Sequence, residues 1–175
     1  MSAIVVYGSR YGTAKQYAKE LSRLIGADAR SYEECGSLEP FDAVVYVGAL
    51  YAGGVLGLKK TFAGLPFSPN RKVVIATVGL ADPNDEQNVA SIRESLKKQL
   101  SQEILEHASI FHLRGGIDYS KLSLAHKTMM GLLYRKAKGL PPDQQTADSV
   151  AMVVTYGKAV DFVDFATLGQ IVRDL

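Results

Sequence analysis

Residues 3–13 read Ala3-Ile4-Val5-Val6-Tyr7-Gly8-Ser9-Arg10-Tyr11-Gly12-Thr13, an apolar, β-branched run that leads directly into a loop with two glycines. A run of this kind predicts a strand that is buried on both faces of a parallel sheet. Beyond the loop, apolar residues recur at helical spacing from Tyr17 to Ile25, and Gly26 is a typical helix end. The stretch therefore predicts a strand, a loop and a helix in immediate succession.

The same alternation continues along the chain. Further strands are predicted at 27–32, 43–49, 72–78 and 109–113, and helices at 56–63, 85–105, 121–138, 143–156 and from the cap residue Asp164 to near Leu175. Strands that alternate with helices indicate a parallel, doubly wound sheet. We therefore expect an α/β fold with five parallel strands and helices on both faces, in three layers, with residues 1–175 forming one domain.

Glycine-bearing loops follow three of the predicted strands, at 8–13, at 48–54 and from Gly79 onward. In doubly wound sheets, ligands bind at the carboxyl ends of the strands, where the strand order reverses. Because these three loops would lie on one edge of the sheet, the sequence predicts a single continuous site there.

The first of these loops has the chemistry of an anion site. Amide groups at a helix N-terminus attract an anion, the hydroxyls of Ser9 and Thr13 add donors, and Gly12 allows close approach of the backbone. The loop matches neither the Gly-Lys-Ser/Thr ending of a Walker A loop nor Gly-x-Gly-x-x-Gly, so ATP and NAD are disfavoured. An ordinary turn with Ser9 and Thr13 as helix caps is the alternative.

Composition narrows the class of protein. The chain is 47% hydrophobic, carries a net charge of +2 and has one cysteine, Cys35. This weak charge does not indicate nucleic-acid binding, and no apolar run approaches the length of a membrane span. His107, His112 and His126 lack metal-ligand spacing. We therefore expect a soluble cytoplasmic protein without a signal peptide, a metal site or a nucleic-acid partner.

The segment Gly8-Ser9-Arg10-Tyr11-Gly12-Thr13-Ala14 resembles the phosphate loop of flavodoxins. It departs from that pattern at Ala14, where the family has a final threonine, and at Arg10, which adds a positive charge. The Ser-Arg-x-Gly form is similar to the branch of menaquinone-dependent protoporphyrinogen dehydrogenases and their small relatives from anaerobes. Segments 48–53, 114–122 and 155–164 resemble that branch as well.

The resemblance implies non-covalent binding of FMN and assigns the residues that would hold it. In the phosphate loop and the two flavin-ring loops these are Ser9, Arg10, Tyr11, Gly12, Thr13, Ala14, Leu50, Tyr51, Ala52, Gly53, Gly79, Leu80 and Ala81. Tyr51 is the candidate for stacking on the flavin ring. The catalytic residues are unknown from the sequence, and Tyr119 and His126 are only candidates for a proton relay.

Three functions fit these expectations. One is an oxidoreductase that acts on a small molecule such as a protoporphyrinogen, with a quinone or another carrier as its partner. Another is a one-electron flavodoxin that serves redox protein partners, and a third is a regulatory flavin-binding domain. Carrier flavodoxins are usually acidic, so the slightly basic charge of this chain favours the first function.

Basic residues are concentrated in the predicted helix at 121–138, at Lys121, Lys127, Arg135, Lys136 and Lys138. They share this helix with Met129, Met130, Leu132 and Leu133. The helix is either amphipathic with a solvated basic face or a surface for anionic lipid or an acidic substrate. We therefore expect peripheral contact with the inner face of the membrane around Lys127 to Lys138, beside the cytoplasmic location.

Overall fold

The computed structural model describes residues 1–51 and 53–175, and its central element is a sheet with five parallel strands. The sheet strands in chain order are β1 (Ala3–Gly8), β2 (Asp28–Ser31), β3 (Ala43–Tyr51), β4 (Gly54–Val55), β5 (Lys72–Gly79) and β6 (Ser109–Arg114). The parallel strands lie in the order β2-β1-β3-β5-β6, and the short β4 pairs antiparallel with the end of β3. The predicted parallel α/β sheet is therefore confirmed, with β4 as an unpredicted addition.

Strand β1 lies at the point where the order reverses. Val5 pairs with Ala29 of β2 on one side and with Val45 of β3 on the other. The chain thus moves outward in one direction to β2 and returns across β1 to β3 and β5. The carboxyl ends of β1, β3 and β5 consequently meet at one edge of the sheet, at the topological switch point.

The helices are α1 (Thr13–Ile25), α2 (Leu58–Phe62), α3 (Glu86–Lys97), α4 (Gln102–His107), α5 (Leu124–Lys138), α6 (Ala147–Thr155) and α7 (Leu168–Asp174). Helices α1 and α7 cover one face of the sheet, and α2, α3 and α4 cover the other. On one face, Leu21 of α1 and Ile171 of α7 are fully buried against the sheet. On the other face, Leu58 of α2 and Leu96 of α3 are fully buried. These contacts give the predicted three layers.

The prediction of one continuous helix at 85–105 is wrong, because the structure has two helices there, α3 and α4. Ser101 lies in extended conformation, and its side chain accepts a hydrogen bond from the Ile104 amide at 3.4 Å. A serine caps a new helix only where its own backbone leaves the helical conformation. The apolar periodicity continues across the break, since Leu96 and Ile104 are both buried, and so it did not reveal the break.

Two later helices begin a few residues after their predicted starts, because a capping residue sets where each helix begins. Helix α5 begins at Leu124 instead of residue 121, because Ser123 accepts from the His126 amide. Helix α6 begins at Ala147 instead of residue 143, because Thr146 and Ser149 form a reciprocal capping box. The predicted cap Asp164 accepts from the Ala166 amide at 2.9 Å, in the 3-10 turn that leads into α7.

The segment after β6 forms a small unit of its own at the carboxyl edge of the sheet. Strands β7 (Gly116–Asp118) and β8 (Ala159–Asp161), which were not predicted, pair antiparallel, and α5 and α6 pack beside them. We call β7, β8, α5 and α6 the cap. Its buried cluster of Ile117, Tyr119, Leu122 and Met130 contacts Tyr11 and Leu80 from the strand-end loops. Across residues 1–51 and 53–175, no helix is both long and apolar enough to cross a membrane.

Candidate functional site

A cavity of about 510 Å³ lies between the carboxyl ends of the strands and the cap. Small-molecule sites in proteins typically enclose roughly 300–1,000 Å³, so this volume suits a cofactor or substrate. The sheet side of its wall is formed by Tyr11, Thr13, Ala49, Leu50, Tyr51, Gly53, Gly54, Val78, Gly79 and Leu80. The rest of the wall is formed by α3 and its end, at Ser91, Ile92, Glu94, Ser95 and Lys98, and by the segment after β6, at Gly115, Gly116, Ile117, Met129, Met130, Leu133, Asp148 and Met152.

The loop after β1 presents the N-terminus of α1 at one end of the site. Gly12 holds a φ of +98°, a left-handed conformation that favours glycine, and its amide donates to the Ser9 hydroxyl at 3.1 Å. No side chain in the described part of the chain caps α1. The first amides of this helix are therefore available to an anion, and the helix dipole favours negative charge there.

The remaining residues of this loop take different positions. Thr13 and Tyr11 line the cavity, whereas the side chain of Ala14 is fully buried in the core. Only the backbone of Ala14 therefore faces the loop. Arg10 is exposed, and its guanidinium carbon lies 5.2 Å from the centroid of the Tyr51 ring.

The end of β3, which extends two residues beyond the predicted strand at 43–49, contributes the aromatic wall of the cavity. Leu50 and Tyr51 are the last residues of β3, and the Tyr51 hydroxyl lies 3.6 Å from the Met129 sulfur in the cap. Gly53 has a φ of +79°, and its carbonyl accepts from the Ser95 hydroxyl at 2.8 Å. Ala52, which was predicted to bind the cofactor, lies outside the described residues.

The loop after β5 is fixed by hydrogen bonds to the end of β6. The Gly79 carbonyl accepts from the Gly115 amide at 2.7 Å, and the Leu80 carbonyl accepts from Arg114 Nε at 3.0 Å. Gly79 and Leu80 line the cavity, but Ala81 is buried and does not.

The structure thus brings seven of the predicted cofactor residues into one wall: Tyr11, Thr13, Leu50, Tyr51, Gly53, Gly79 and Leu80. It does not place Ser9, Arg10, Gly12, Ala14 or Ala81 in that wall. Ser9 and Gly12 belong to the adjoining loop at the start of α1. Their roles toward a cofactor stay predictions.

The cap side of the cavity was missed by sequence reasoning. Met129, Met130 and Leu133 share one apolar stripe of α5, and Met152 adds to it from α6. Their helical spacing was visible in the sequence and indicated a buried face. What that face contacts depends on how the cap docks on the sheet, so the spacing alone could not identify a cavity wall.

Three charged side chains line the cavity among the described residues: Glu94, Lys98 and Asp148. Glu94 forms an ion pair with Lys97, its neighbour on α3. Asp148 lies in the first turn of α6; the residue is exposed overall, and partial desolvation of its carboxyl where it lines the cavity raises the pKa above the ordinary value. Nothing in the sequence distinguished Asp148 from an ordinary acidic residue in the first turn of a helix.

The two candidates for a proton relay occupy contrasting environments. Tyr119 is 7% exposed, and burial together with the neighbouring Tyr156 and Tyr11 raises the pKa of its hydroxyl to about 12. It therefore keeps its proton at neutral pH and makes a poor base. The ring of His126 accepts from Arg10, with Nη2 at 2.8 Å and Nε at 3.2 Å from its Nε2.

His112 has a structural environment in the sheet. Its Nδ1 lies 2.7 Å from the Thr77 hydroxyl, and burial, with Arg93 nearby, lowers the pKa of its imidazole. Within residues 1–51 and 53–175, no group of three or more histidine, cysteine or acidic residues is arranged to hold a metal ion.

Solved structures with low sequence identity resemble this chain. A cysteine-to-serine variant of a flavodoxin from Pseudomonas aeruginosa is 16% identical, with 87% of this chain and 99% of that chain covered and a TM-score of 0.46. A flavoprotein in complex with FMN from Lactobacillus acidophilus is 8% identical, with 65% and 91% covered and a TM-score of 0.42. The Trp repressor binding protein from Bacillus subtilis is 13% identical, with 66% and 83% covered and a TM-score of 0.44.

No curated protein matches the sequence. The family model for the flavodoxin domain, in contrast, matches residues 4–143, which include β1 to β6 and most of the residues that line the cavity. The chain therefore belongs to the flavodoxin domain family.

Proposed function

We propose that this chain binds FMN non-covalently at the carboxyl edge of its sheet and uses it for redox chemistry. One observation carries this proposal. A single cavity extends from Thr13, at the N-terminus of α1, to the ends of β3 and β5, so a helix N-terminus suited to a phosphate adjoins an apolar chamber. Membership of the flavodoxin family supports the same conclusion.

The residues present fit the two halves of such a cofactor. A phosphate would take the amides of the first turn of α1 and the hydroxyls of Ser9 and Thr13. A flat ring would contact Leu50, Tyr51 and Leu80, which offer apolar and aromatic surface. The Tyr11 hydroxyl is buried without a partner among the described residues, so it has a hydrogen bond to offer.

FMN, when bound, supplies reversible electron transfer, and the protein supplies position and environment. On this proposal, Tyr51 and Leu80 orient the ring from the sheet side. Met129, Met130 and Met152 exclude water from the cap side. Asp148 is the acidic group of the cap that lines the chamber and is available to exchange a proton there.

We further propose that the chain is an oxidoreductase for a small molecule. The support is the cap, which adds a second wall from α5 and α6 over the strand ends and leaves a chamber that suits a small substrate. Protoporphyrinogen, with a quinone as acceptor, is the specific pair that the sequence resemblance implies. A one-electron carrier for protein partners is the competing function.

Titration of the purified protein with FMN, followed by flavin fluorescence, tests the cofactor. Saturable quenching is expected, with weaker binding of riboflavin because it lacks the phosphate; no binding of FMN would overturn the proposal. An anaerobic redox titration followed by visible absorbance then separates the two functions. Reduction in a single two-electron step supports the oxidoreductase, and two well-separated one-electron steps support the carrier.

We also propose that the outer face of the cap contacts an anionic membrane surface. Leu124 is 81% exposed and Leu132 is 62% exposed on α5, and Val154 is 58% exposed on α6. Exposed basic residues accompany them on α5: Lys127, Arg135, Lys136 and Lys138. Apolar side chains flanked by basic ones suit the boundary between headgroups and acyl chains.

Sedimentation with vesicles of anionic or neutral lipid tests this contact. Binding is expected only to anionic vesicles, and reversing Arg135 and Lys136 to glutamate should weaken it by roughly tenfold or more. The same reversal at the exposed pair Lys59 and Lys60 of α2 is the control. Equal loss in both variants, or no sedimentation of the original protein, would contradict the proposal.

A further inference from the structure

Arg10 connects the loop at the start of α1 to the cap. It belongs to the Ser9–Thr13 loop, yet its Nε and Nη2 donate to Nε2 of His126 on α5, at 3.2 and 2.8 Å. Its guanidinium also lies over the Tyr51 ring at the end of β3, 5.2 Å from the ring centroid. The Arg10 side chain therefore contacts both Tyr51, at the end of β3, and His126, in the cap.

The hydrogen bonds orient the His126 ring. An arginine only donates, so Nε2 of His126 is the acceptor in both contacts with Arg10. Nδ1 of the same ring lies 3.0 Å from the Ser123 hydroxyl at the start of α5. Tyr11 packs edge-on against the same ring, with centroids 5.9 Å apart. His126 is thus held in one orientation by its own helix and by the loop.

The guanidinium retains donors for a second partner. Of its five N–H groups, Nε and one on Nη2 are used by His126, which leaves three in the same plane. Planar donors of this kind suit a phosphate, which accepts two of them side by side. Arg10 is exposed, so without an anion its bond to His126 contributes little to holding the cap in place.

We propose that Arg10 couples the phosphate loop to the cap: a bound phosphate fixes the guanidinium, which then holds His126 and closes α5 over the cavity. This inference rests on the proposed binding of FMN. It makes Arg10 a positioning residue, because it acts on the cavity through the cap. On this proposal, the phosphate orders the cap side of the cavity as well as contributing to the affinity for FMN.

Hydrogen exchange of the amides in α5 and α6, measured by mass spectrometry, tests the coupling. The protein is compared free, saturated with riboflavin, saturated with FMN and in inorganic phosphate alone. We expect FMN to slow exchange in α5 by roughly tenfold more than riboflavin, because local opening must then break a charge-assisted bond. Phosphate alone should produce part of this effect.

His126→Ala removes the acceptor and leaves the phosphate loop intact. We expect this variant to bind FMN up to about tenfold more weakly, because a coupling free energy acts equally in both directions, and to lose the additional protection of α5. His126→Gln should restore part of both effects through its side-chain carbonyl. His107→Ala, on the exposed face of α4, is the matched control and should behave like the original protein.

Equal protection by FMN in the original protein and in His126→Ala would overturn the coupling, as would equal protection by FMN and riboflavin. These outcomes leave the proposed function untouched, since FMN still binds. If FMN does not bind at all, the proposed function fails, and inorganic phosphate decides the coupling alone. Protection of α5 by phosphate that depends on His126 would support it, and its absence would overturn it.

Discussion

The Tyr17 hydroxyl accepts a hydrogen bond from the Asp164 amide at 2.9 Å, although 147 residues separate the two in the chain. The same hydroxyl donates to the Arg114 carbonyl at 2.7 Å. A single side chain on α1 therefore joins the end of β6 to the turn that leads into α7. These two hydrogen bonds attach α1 to the residues just before and just after the segment that forms the cap, and so they fix both ends of that segment.

We expect Tyr17→Phe to destabilise the protein, because the Arg114 carbonyl and the Asp164 amide both lose their partner in a site from which water is largely excluded. The expected loss is roughly 1–3 kcal/mol in the free energy of unfolding. Urea denaturation followed by circular dichroism measures it. Tyr7→Phe on β1 removes a hydroxyl that makes neither contact and is the control; an equal effect in both variants would contradict the role of Tyr17.

Gly8→Ala should also destabilise the fold. A Cβ at Gly8 would overlap the Leu56 carbonyl and lie 2.7 Å from the Tyr46 hydroxyl. Overpacking against backbone costs roughly 1–3 kcal/mol, which the same denaturation experiment detects. Gly64→Ala is the matched control, since a Cβ there meets nothing within 4 Å. If both variants unfold at the same denaturant concentration, the close approach at Gly8 is wrong.

Thr13→Ala is expected to weaken the binding of FMN without unfolding the protein. One hydrogen bond to a charged group is lost, worth roughly 1.5–3 kcal/mol, which corresponds to about 10- to 150-fold in Kd. Fluorescence titration measures this change. Ser37→Ala, which removes an exposed hydroxyl remote from the cavity wall, should leave Kd unchanged. An unaltered Kd in Thr13→Ala would exclude its hydroxyl from the phosphate site.

Asp148→Asn should alter how stability depends on pH. Partial desolvation raises the folded pKa of this carboxyl above its ordinary value of 3.8, so the folded state binds the proton more tightly than the unfolded chain. Its contribution to stability is therefore present below pH 3.8 and is lost as the pH rises through the folded pKa. The variant should lack this loss, and because Asp148 is an exposed residue the difference between the two proteins should be small.

Thermal unfolding of both proteins between pH 3 and 7 tests that prediction through the difference between their curves. Taking the difference matters because other carboxyls, such as Asp174 beside Lys72, have lowered pKa values and give the opposite slope. Asp143→Asn, at an exposed position before α6, controls for the change in net charge. A constant difference across this pH range would show that Asp148 is not withdrawn from water.

Tyr119→Phe should leave stability unchanged within about 1 kcal/mol or increase it, because the hydroxyl that is removed is buried without a partner among the described residues. Turnover should also persist, since a group whose pKa is raised to about 12 does not act as a base at neutral pH. Steady-state kinetics with protoporphyrinogen as electron donor and a quinone as acceptor would measure it. A marked loss of turnover with intact FMN binding would restore Tyr119 as a proton relay.

Elements that depend on interactions between residues close in the chain could be predicted from the sequence, whereas elements that depend on contacts between distant residues could not. The strands at 43–49 and 72–78 and the end of the first helix at Gly26 were predicted to within two residues, because each has a local pattern and local end signals. The break at Ser101 was missed, since the apolar period continues across it. Strands β7 and β8 are three residues long, too short for any period, and they form only by pairing with each other.

The candidate site divides in the same way. The edge at which Thr13, Tyr51 and Gly79 meet was predicted, because a strand followed by glycine in a doubly wound sheet fixes which edge the following loop occupies. The contact of Arg10 with His126 joins residues that are 116 positions apart, and no local pattern encodes it.

The sequence by itself determined the parallel sheet, its helical layers and the edge at which the glycine loops meet, since burial periodicity and backbone conformation are local properties of the chain. Only the tertiary structure decided that α5 and α6 fold back over that edge and that Met129, Met152 and Asp148 share a chamber with Tyr51. The physical reason is that an apolar helix face in the sequence indicates burial but does not indicate the surface against which the face is buried. Which surface buries it depends on the packing of the whole chain.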